Sequence, residues 1–208
     1  TNAHIEGCDG KKQVQEISVR DAEGIITKLK SEMLCVSGGF NPDVHLFTQS
    51  KGVLSWDDEY LTFKPDKSFQ NTIVLGSNAG IFQYSKIVND INTKLSFLNH
   101  EPLLEIDLTL NDTDKYSIEK LWETKHEKES RWSKSFIDLQ NDVTTKDLRQ
   151  GIQEGFDRIE HLKRFTTNSM GTDQGKISSI NALGIVSEIL DKKVSEVGTT
   201  IYRPPYAP

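Results

Sequence analysis

From Asp138 onward the chain changes register, and this change constrains its fold more than any other feature. Thr144 or Thr145 can cap a helix that runs to about Glu154, and Gly155 stops it. Ile159, Leu162 and Phe165 mark a second short helix. Gly175 precedes a third, with Ile177, Ile180, Leu183, Ile185, Val186 and Ile189 on its apolar face. Three short helices in about fifty residues cannot each bury a face alone, so they must pack on one another. Pro204, Pro205 and Pro208 then force an extended exit.

The first half reads differently. Val14, Ile17 and Val19 alternate with polar residues, and Asp21–Gly24 supplies turn chemistry before Ile25–Leu29 returns as a hairpin strand. Met33–Ser37 is a continuous apolar run ending in Gly38-Gly39, and Ile73-Val74-Leu75 ends in Gly76. Both fit buried parallel strands followed by tight loops. Between them lies an alternating aromatic segment over residues 53–63. A helix is expected from about Ile81 to Leu95. Residues 99–131 shift to a charged composition, with an extended segment through Leu103, Leu104, Ile106, Leu108 and Leu110, and read as a linker.

Composition narrows the function classes. A net charge of −6 argues against general nucleic-acid binding, which needs a basic footprint. No apolar run approaches the roughly 20 residues that span a bilayer. The chain opens Thr1-Asn2-Ala3 without a methionine and ends in a proline-rich stretch, which reads as an internal fragment. Cys8 and Cys35 have no metal-ligand spacing; Cys35, inside Met33-Leu34-Cys35-Val36, reads as a buried inert thiol, and a reducing cytoplasm fits. The histidines at 4, 45, 100, 126 and 161 form no pair at metal spacing. Hence no metal site and no catalytic residue is assigned.

Candidate cofactor chemistry sits on three segments. Gly38, Gly39 and Asn41 form one turn; Gly76, Ser77, Asn78 and Gly80 form another. Glycine after a buried strand lets backbone N–H groups approach a phosphate. Two ordinary strand–loop turns are the plainer alternative, since no GxGxxG is present. The third segment is Lys163-Arg164-Phe165-Thr166-Thr167, where two cations and two hydroxyls could grip a phosphate. The alternative is a solvated pair of cations complementing a helix C-terminus. His45 could face a cofactor or be a half-buried structural residue, and Ser37 and Ser77 lack an assignable base.

Five blocks occur in order: Asn-Asp-Val-Thr at 141–144, Leu-Lys-Arg-Phe-Thr-Thr at 162–167, Asp-Gln-Gly-Lys at 173–176, Asn-Ala-Leu-Gly at 181–184 and Arg-Pro-Pro-Tyr at 203–206. On these the chain resembles the middle of the alpha subunits of heterotetrameric sarcosine oxidases. The resemblance implies an α/β part followed by an α part. Residues 1–98 would end a FAD/NAD(P)-binding Rossmann-like domain and 99–131 would be the linker. Residues 132–195 would form a three-helix module resembling a bacterioferritin-associated-ferredoxin-like [2Fe–2S] domain without its cysteines. Residues 196–208 would lead to an aminomethyltransferase-like, folate-binding domain. Cluster-carrying relatives have cysteines where this chain has Asp138, Gln140, Asp173 and Ser178, so no iron–sulfur cluster is expected.

The same resemblance implies NAD at the two glycine turns, with Ser77 where an aspartate usually stands. It implies FMN against the Lys163–Thr167 strip at the interface with a beta subunit. Sarcosine, or another N-methyl amino acid, would be oxidised at FAD in that beta subunit. The products would be glycine, hydrogen peroxide and formaldehyde, or methylenetetrahydrofolate with tetrahydrofolate present. Partners would be beta, gamma and delta subunits in a cytoplasmic heterotetramer, and the fragment would not act alone. The alternatives are a related amino-acid dehydrogenase subunit and a non-catalytic scaffold with vestigial turns.

Overall fold

The computed structural model describes residues 3–99, 118–124, 134–199 and 202–204, with side chains left aside at 97–99. The expected extended segment at 103–110, His100, His126, Trp132, Pro205, Tyr206 and Pro208 lie outside the described residues. The described residues fall into two compact units. One runs up to Gly39 and includes residues 121–124 and 134–135; the other takes 40–99, 118–120 and everything described from Phe136 onward.

The first unit carries an antiparallel meander of β1 (His4–Asp9), β2 (Glu16–Arg20) and β3 (Ile26–Lys30). The Asp21 side chain accepts the Ile25 N–H at 2.8 Å and shapes the β2–β3 turn, so the hairpin expected there forms. Arg20 pairs with the buried Glu6 at 2.7 Å. Ile17 is buried, whereas every residue of β3 is exposed.

The expected buried parallel strand at Met33–Ser37 does not form. The segment has no regular structure, Met33 and Val36 are 71% and 80% exposed, and Cys35 is an exposed thiol rather than a buried one. An apolar run becomes a buried strand only where neighbours on both sides accept its backbone groups. Among the described residues all strand pairing is antiparallel and none involves this run.

The second unit opens with α1 (His45–Gln49) and a hairpin of β4 (Val53–Asp57) and β5 (Thr62–Lys67). The alternating segment expected over 53–63 is therefore two strands. Trp56 meets Phe63 edge-on at 5.0 Å, and Asp57 pairs with Lys64 at 2.6 Å across the strands. Residues 73–75 are not the expected strand either. Side-chain partners take up backbone groups there instead: Lys94 Nζ donates to the Val74 carbonyl at 3.0 Å, and just after the run Asp90 accepts the Gly76 N–H at 3.0 Å. Both partners lie on α2 (Tyr84–Asn99), which begins three residues later than its apolar spacing suggested.

The helical part follows its sequence closely. A short ribbon of β6 (Phe136–Asp138) and β7 (Val143–Thr144) precedes α3 (Thr145–Gln153). Asp147 accepts the Thr144 N–H at 2.7 Å, a capping contact at the start of α3. Gly155 donates to the Ile152 carbonyl at 3.0 Å and ends the helix. Next come α4 (Ile159–Thr166), α5 (Ser179–Ile189) and α6 (Val194–Val197). Leu148, Leu162, Leu183 and Val186 are essentially inaccessible and form the centre of the core. A Cβ on Gly151 would lie 2.4 Å from Leu162 Cδ1, so glycine there lets α3 and α4 close up. Ile177 is 67% exposed and precedes α5, contrary to its expected place on the apolar face.

Candidate functional site

The two glycine turns fall in different units and are described separately. Gly38 and Gly39 are exposed, and the Gly39 N–H points to Ser37 Oγ at 3.5 Å. Asn41, the first polar residue of the second unit, accepts a hydrogen bond from Thr62 Oγ1 at 3.0 Å. Gly76, Ser77, Asn78 and Ala79 form one turn of 3-10 helix ending at Gly80. Gly76 is buried at φ +57°, a conformation suited to glycine, and its N–H is held by Asp90. Asp90 is itself paired with Lys94 at 2.7 Å. A carboxylate thus occupies the N–H that a ligand phosphate would use, while Ser77 and Asn78 remain exposed. An open cleft of about 440 Å³ lies beside this turn, lined by Phe47, Pro65, Ile73, Val74, Ala79 and Lys94 among others.

His45 is 5% exposed, more buried than expected. Its Nδ1 contacts Asp43, and its ring meets the Tyr202 ring edge-on at 5.8 Å. Burial raises the Asp43 carboxyl, but the hydrogen bonds and charge of His45, with the Lys176 charge, together outweigh it and hold the group below its ordinary range. Burial pushes the Tyr202 phenol up to about 12. Among the described residues no group of three or more His, Cys, Asp or Glu could hold a metal, and no helix is long and apolar enough to cross a membrane.

Asp138, Gln140, Asp173 and Ser178 converge, and hydrogen bonds fill the space among them. Asp138 is buried and accepts from the N–H groups of Gln140, Asn141 and Ser169 at 2.9, 3.1 and 2.8 Å. Gln140 Oε1 accepts from Thr172 Oγ1 at 3.2 Å and from the Asp173 N–H at 3.3 Å. Ser178 Oγ and Ser169 Oγ lie 2.9 Å apart, and Ser179 and Asn168 also donate to Ser169. None of the four offers a thiolate, and all four carry backbone or hydroxyl partners, Asp173 accepting the Gly175 and Ile177 N–H groups at 3.0 and 3.2 Å. This donor set does not fit an iron–sulfur cluster.

The Lys163–Thr167 strip separates into two parts. Lys163 and Arg164 line a cleft of about 450 Å³ together with Glu160, Met170, Gln174 and Arg203. Thr166 and Thr167 are not among its lining residues: Thr166 Oγ1 donates to the Leu162 carbonyl at 2.8 Å, and the Thr167 carbonyl accepts from Asn141 Nδ2 at 3.0 Å. Arg203 is the residue that sequence reasoning missed, although it stands in the Arg-Pro-Pro-Tyr block. Arg164 pairs with Glu160 at 2.8 Å. Burial holds the Lys163 ammonium below the usual lysine range; Arg203 and Arg164 push it further down, and Glu160 opposes them. The cleft therefore carries three cations against one carboxylate, a field that an anion would relieve.

Comparison with known proteins agrees with the motif blocks. Residues 132–208 match the sarcosine oxidase A3 domain family. The sarcosine oxidase subunit alpha of Corynebacterium sp. (strain P-1) is 30% identical over 87% of this chain and 19% of its own length. That of Rhizobium meliloti (strain 1021) is 30% identical over 99% of this chain and 21% of its own length. The chain thus spans about a fifth of the length of the curated relatives it matches. A crystal structure of L-proline dehydrogenase from P. horikoshii superposes with a TM-score of 0.66 at 19% identity, covering 99% of this chain and 43% of that one. The chain is thus similar to sarcosine oxidase alpha subunits, and its fold is shared with part of the dehydrogenase structure.

Proposed function

We propose that this chain is a segment of the alpha subunit of a multi-subunit sarcosine oxidase, an oxidoreductase complex that demethylates sarcosine to glycine. Formaldehyde and hydrogen peroxide would be released, or methylenetetrahydrofolate formed where tetrahydrofolate is bound by a further domain. The cleft where Lys163 and Arg164 meet Arg203 is the observation that carries the assignment of this segment's own role. It suits the phosphate of FMN at an interface with a beta subunit. FMN, when bound, supplies electron transfer; the residues of this cleft bind and orient its charged end. Substrate oxidation is assigned to FAD in the beta subunit, so no catalytic residue is placed here. Gamma and delta subunits and a cytoplasmic location complete the reading.

In this reading residues 1–98 close a FAD/NAD(P)-binding Rossmann-like domain. Residues 132–195 form a cysteine-less relative of a ferredoxin-associated module, followed by the 196–208 connection. NAD contact at Gly38, Gly39, Asn41 and the 76–80 turn rests on Ser77 and Asn78, since Asp90 holds the Gly76 N–H. That same bond favours a second reading for the first half: a vestigial turn that serves as scaffold. Mass-spectrometric assay of nucleotides released from the purified full-length protein separates the two. Released NAD in stoichiometric amount is expected, and its loss in a Ser77→Glu, Asn78→Glu double variant would locate it. Full NAD content in that variant would contradict the assignment to this turn.

A further inference from the structure

The anion cleft is built from two parts of the chain that are far apart in sequence. One part is α4, which contributes Lys163 and Arg164. The other is the exit segment, Tyr202-Arg203-Pro204, and that segment is fastened elsewhere. The Tyr202 carbonyl accepts hydrogen bonds from Thr48 Oγ1 at 3.0 Å and Gln49 Nε2 at 3.1 Å, both on α1. The Tyr202 ring is 7% exposed and lies edge-on against His45. Pro204 restricts Arg203 to extended backbone, so fixing Tyr202 also fixes where Arg203 leaves the chain. α1 is thus a clasp for the residue next to the third cation.

The other groups in the cleft are already engaged. Ser169 donates its N–H to Asp138 and its hydroxyl lies in the buried serine network. Gln174 Nε2 donates to the Gly171 carbonyl at 2.8 Å. Arg164 shares Glu160. Lys163 and Arg203 both line the opening, where Glu160 is the one carboxylate among the lining residues and already pairs with Arg164.

We propose that a phosphate monoester binds in a bipartite site in which Arg203 of the exit segment completes the Lys163–Arg164 pair, and that Thr48 and Gln49 act as positioning residues by clasping Tyr202. The inference rests on the reading that the α4 strip faces an anionic cofactor. Release of the clasp would carry Arg203 away and split the site, so phosphate affinity and docking of the exit segment are coupled.

The test uses the purified full-length protein stripped of flavin. FMN and riboflavin are titrated by fluorescence quenching, with inorganic phosphate as competitor. Riboflavin lacks the phosphate, so it reports ring binding alone. Arg203→Ala and Lys163→Ala are each expected to weaken FMN about tenfold or more, as loss of a charge-assisted hydrogen bond does. Riboflavin affinity should be unchanged, inorganic phosphate should compete with FMN, and Arg203→Lys should recover part of the loss. Thr48→Val with Gln49→Ala should reproduce the Arg203→Ala effect although neither residue lines the cleft. If this double variant fails to fold, the Arg203 pair still decides the matter. Loss of FMN in Lys163→Ala with full affinity in Arg203→Ala would overturn the bipartite site and leave the α4 reading standing. Unchanged FMN affinity in both alanine variants, or equal affinity for FMN and riboflavin, would overturn the two together.

Discussion

Lys163 is held where burial and two guanidinium groups oppose its charge. Its ammonium titrates below the ordinary lysine value of 10.5, so the unfolded chain binds more protons in the alkaline range. The group's destabilising contribution is full below the folded value and is relieved as pH rises through it toward 10.5. Lys163→Met should therefore raise the unfolding midpoint of the unliganded protein slightly, by about 1 °C, while weakening anion binding. A differential scanning experiment with and without FMN checks both signs. Asp57 runs the other way. Burial raises its carboxyl, but Lys64 and the Tyr60 N–H outweigh that and hold it below 3.8. Its contribution is present above the ordinary carboxylate value and is lost as pH falls through the depressed one. The pair is partly exposed, so Asp57→Asn should cost under about 1 kcal/mol at neutral pH, measured by urea unfolding.

Among the elements, α3 and α4 were legible because local and tertiary signals agree. Thr144 and Asp147 form the cap, and Leu148 and Leu162 sit at the apolar spacing and are fully buried. Gly151→Ala should place a methyl against Leu162 and Phe165 and cost about 1–3 kcal/mol, read as a lower denaturant midpoint with an unchanged slope. The runs at 33–37 and 73–75 were misread because a short continuous apolar stretch has no period that separates strand from loop. Around 74–76 the deciding contacts come from Asp90 and Lys94 on α2, and no local pattern encodes them. The β6–β7 ribbon was too short to leave a signal. The cation strip was half legible: Lys163 and Arg164 adjoin in sequence, whereas Arg203 joins them only through the fold. Its sole sequence mark was its place in a motif block.

At the scale of the whole molecule, core strength differs between the units. The helical part buries Leu148, Leu162, Leu183 and Val186, whereas the meander buries Ile17 and leaves β3 open. Hydrogen exchange on the chain should show amides of α3 and α5 exchanging slowest and those of β3 fastest. Equal protection of the two would contradict this ordering. The chain spans about a fifth of the length of the sarcosine oxidase alpha subunits it matches. The segment is proposed to serve an N-methyl amino-acid oxidase. Hydrogen peroxide formation by the full-length protein, co-purified with its companion subunits, tests it most directly. Peroxide that rises with added sarcosine and falls strongly in Arg203→Ala is the predicted result. A complex that retains its flavins, ignores sarcosine and oxidises proline instead would contradict it.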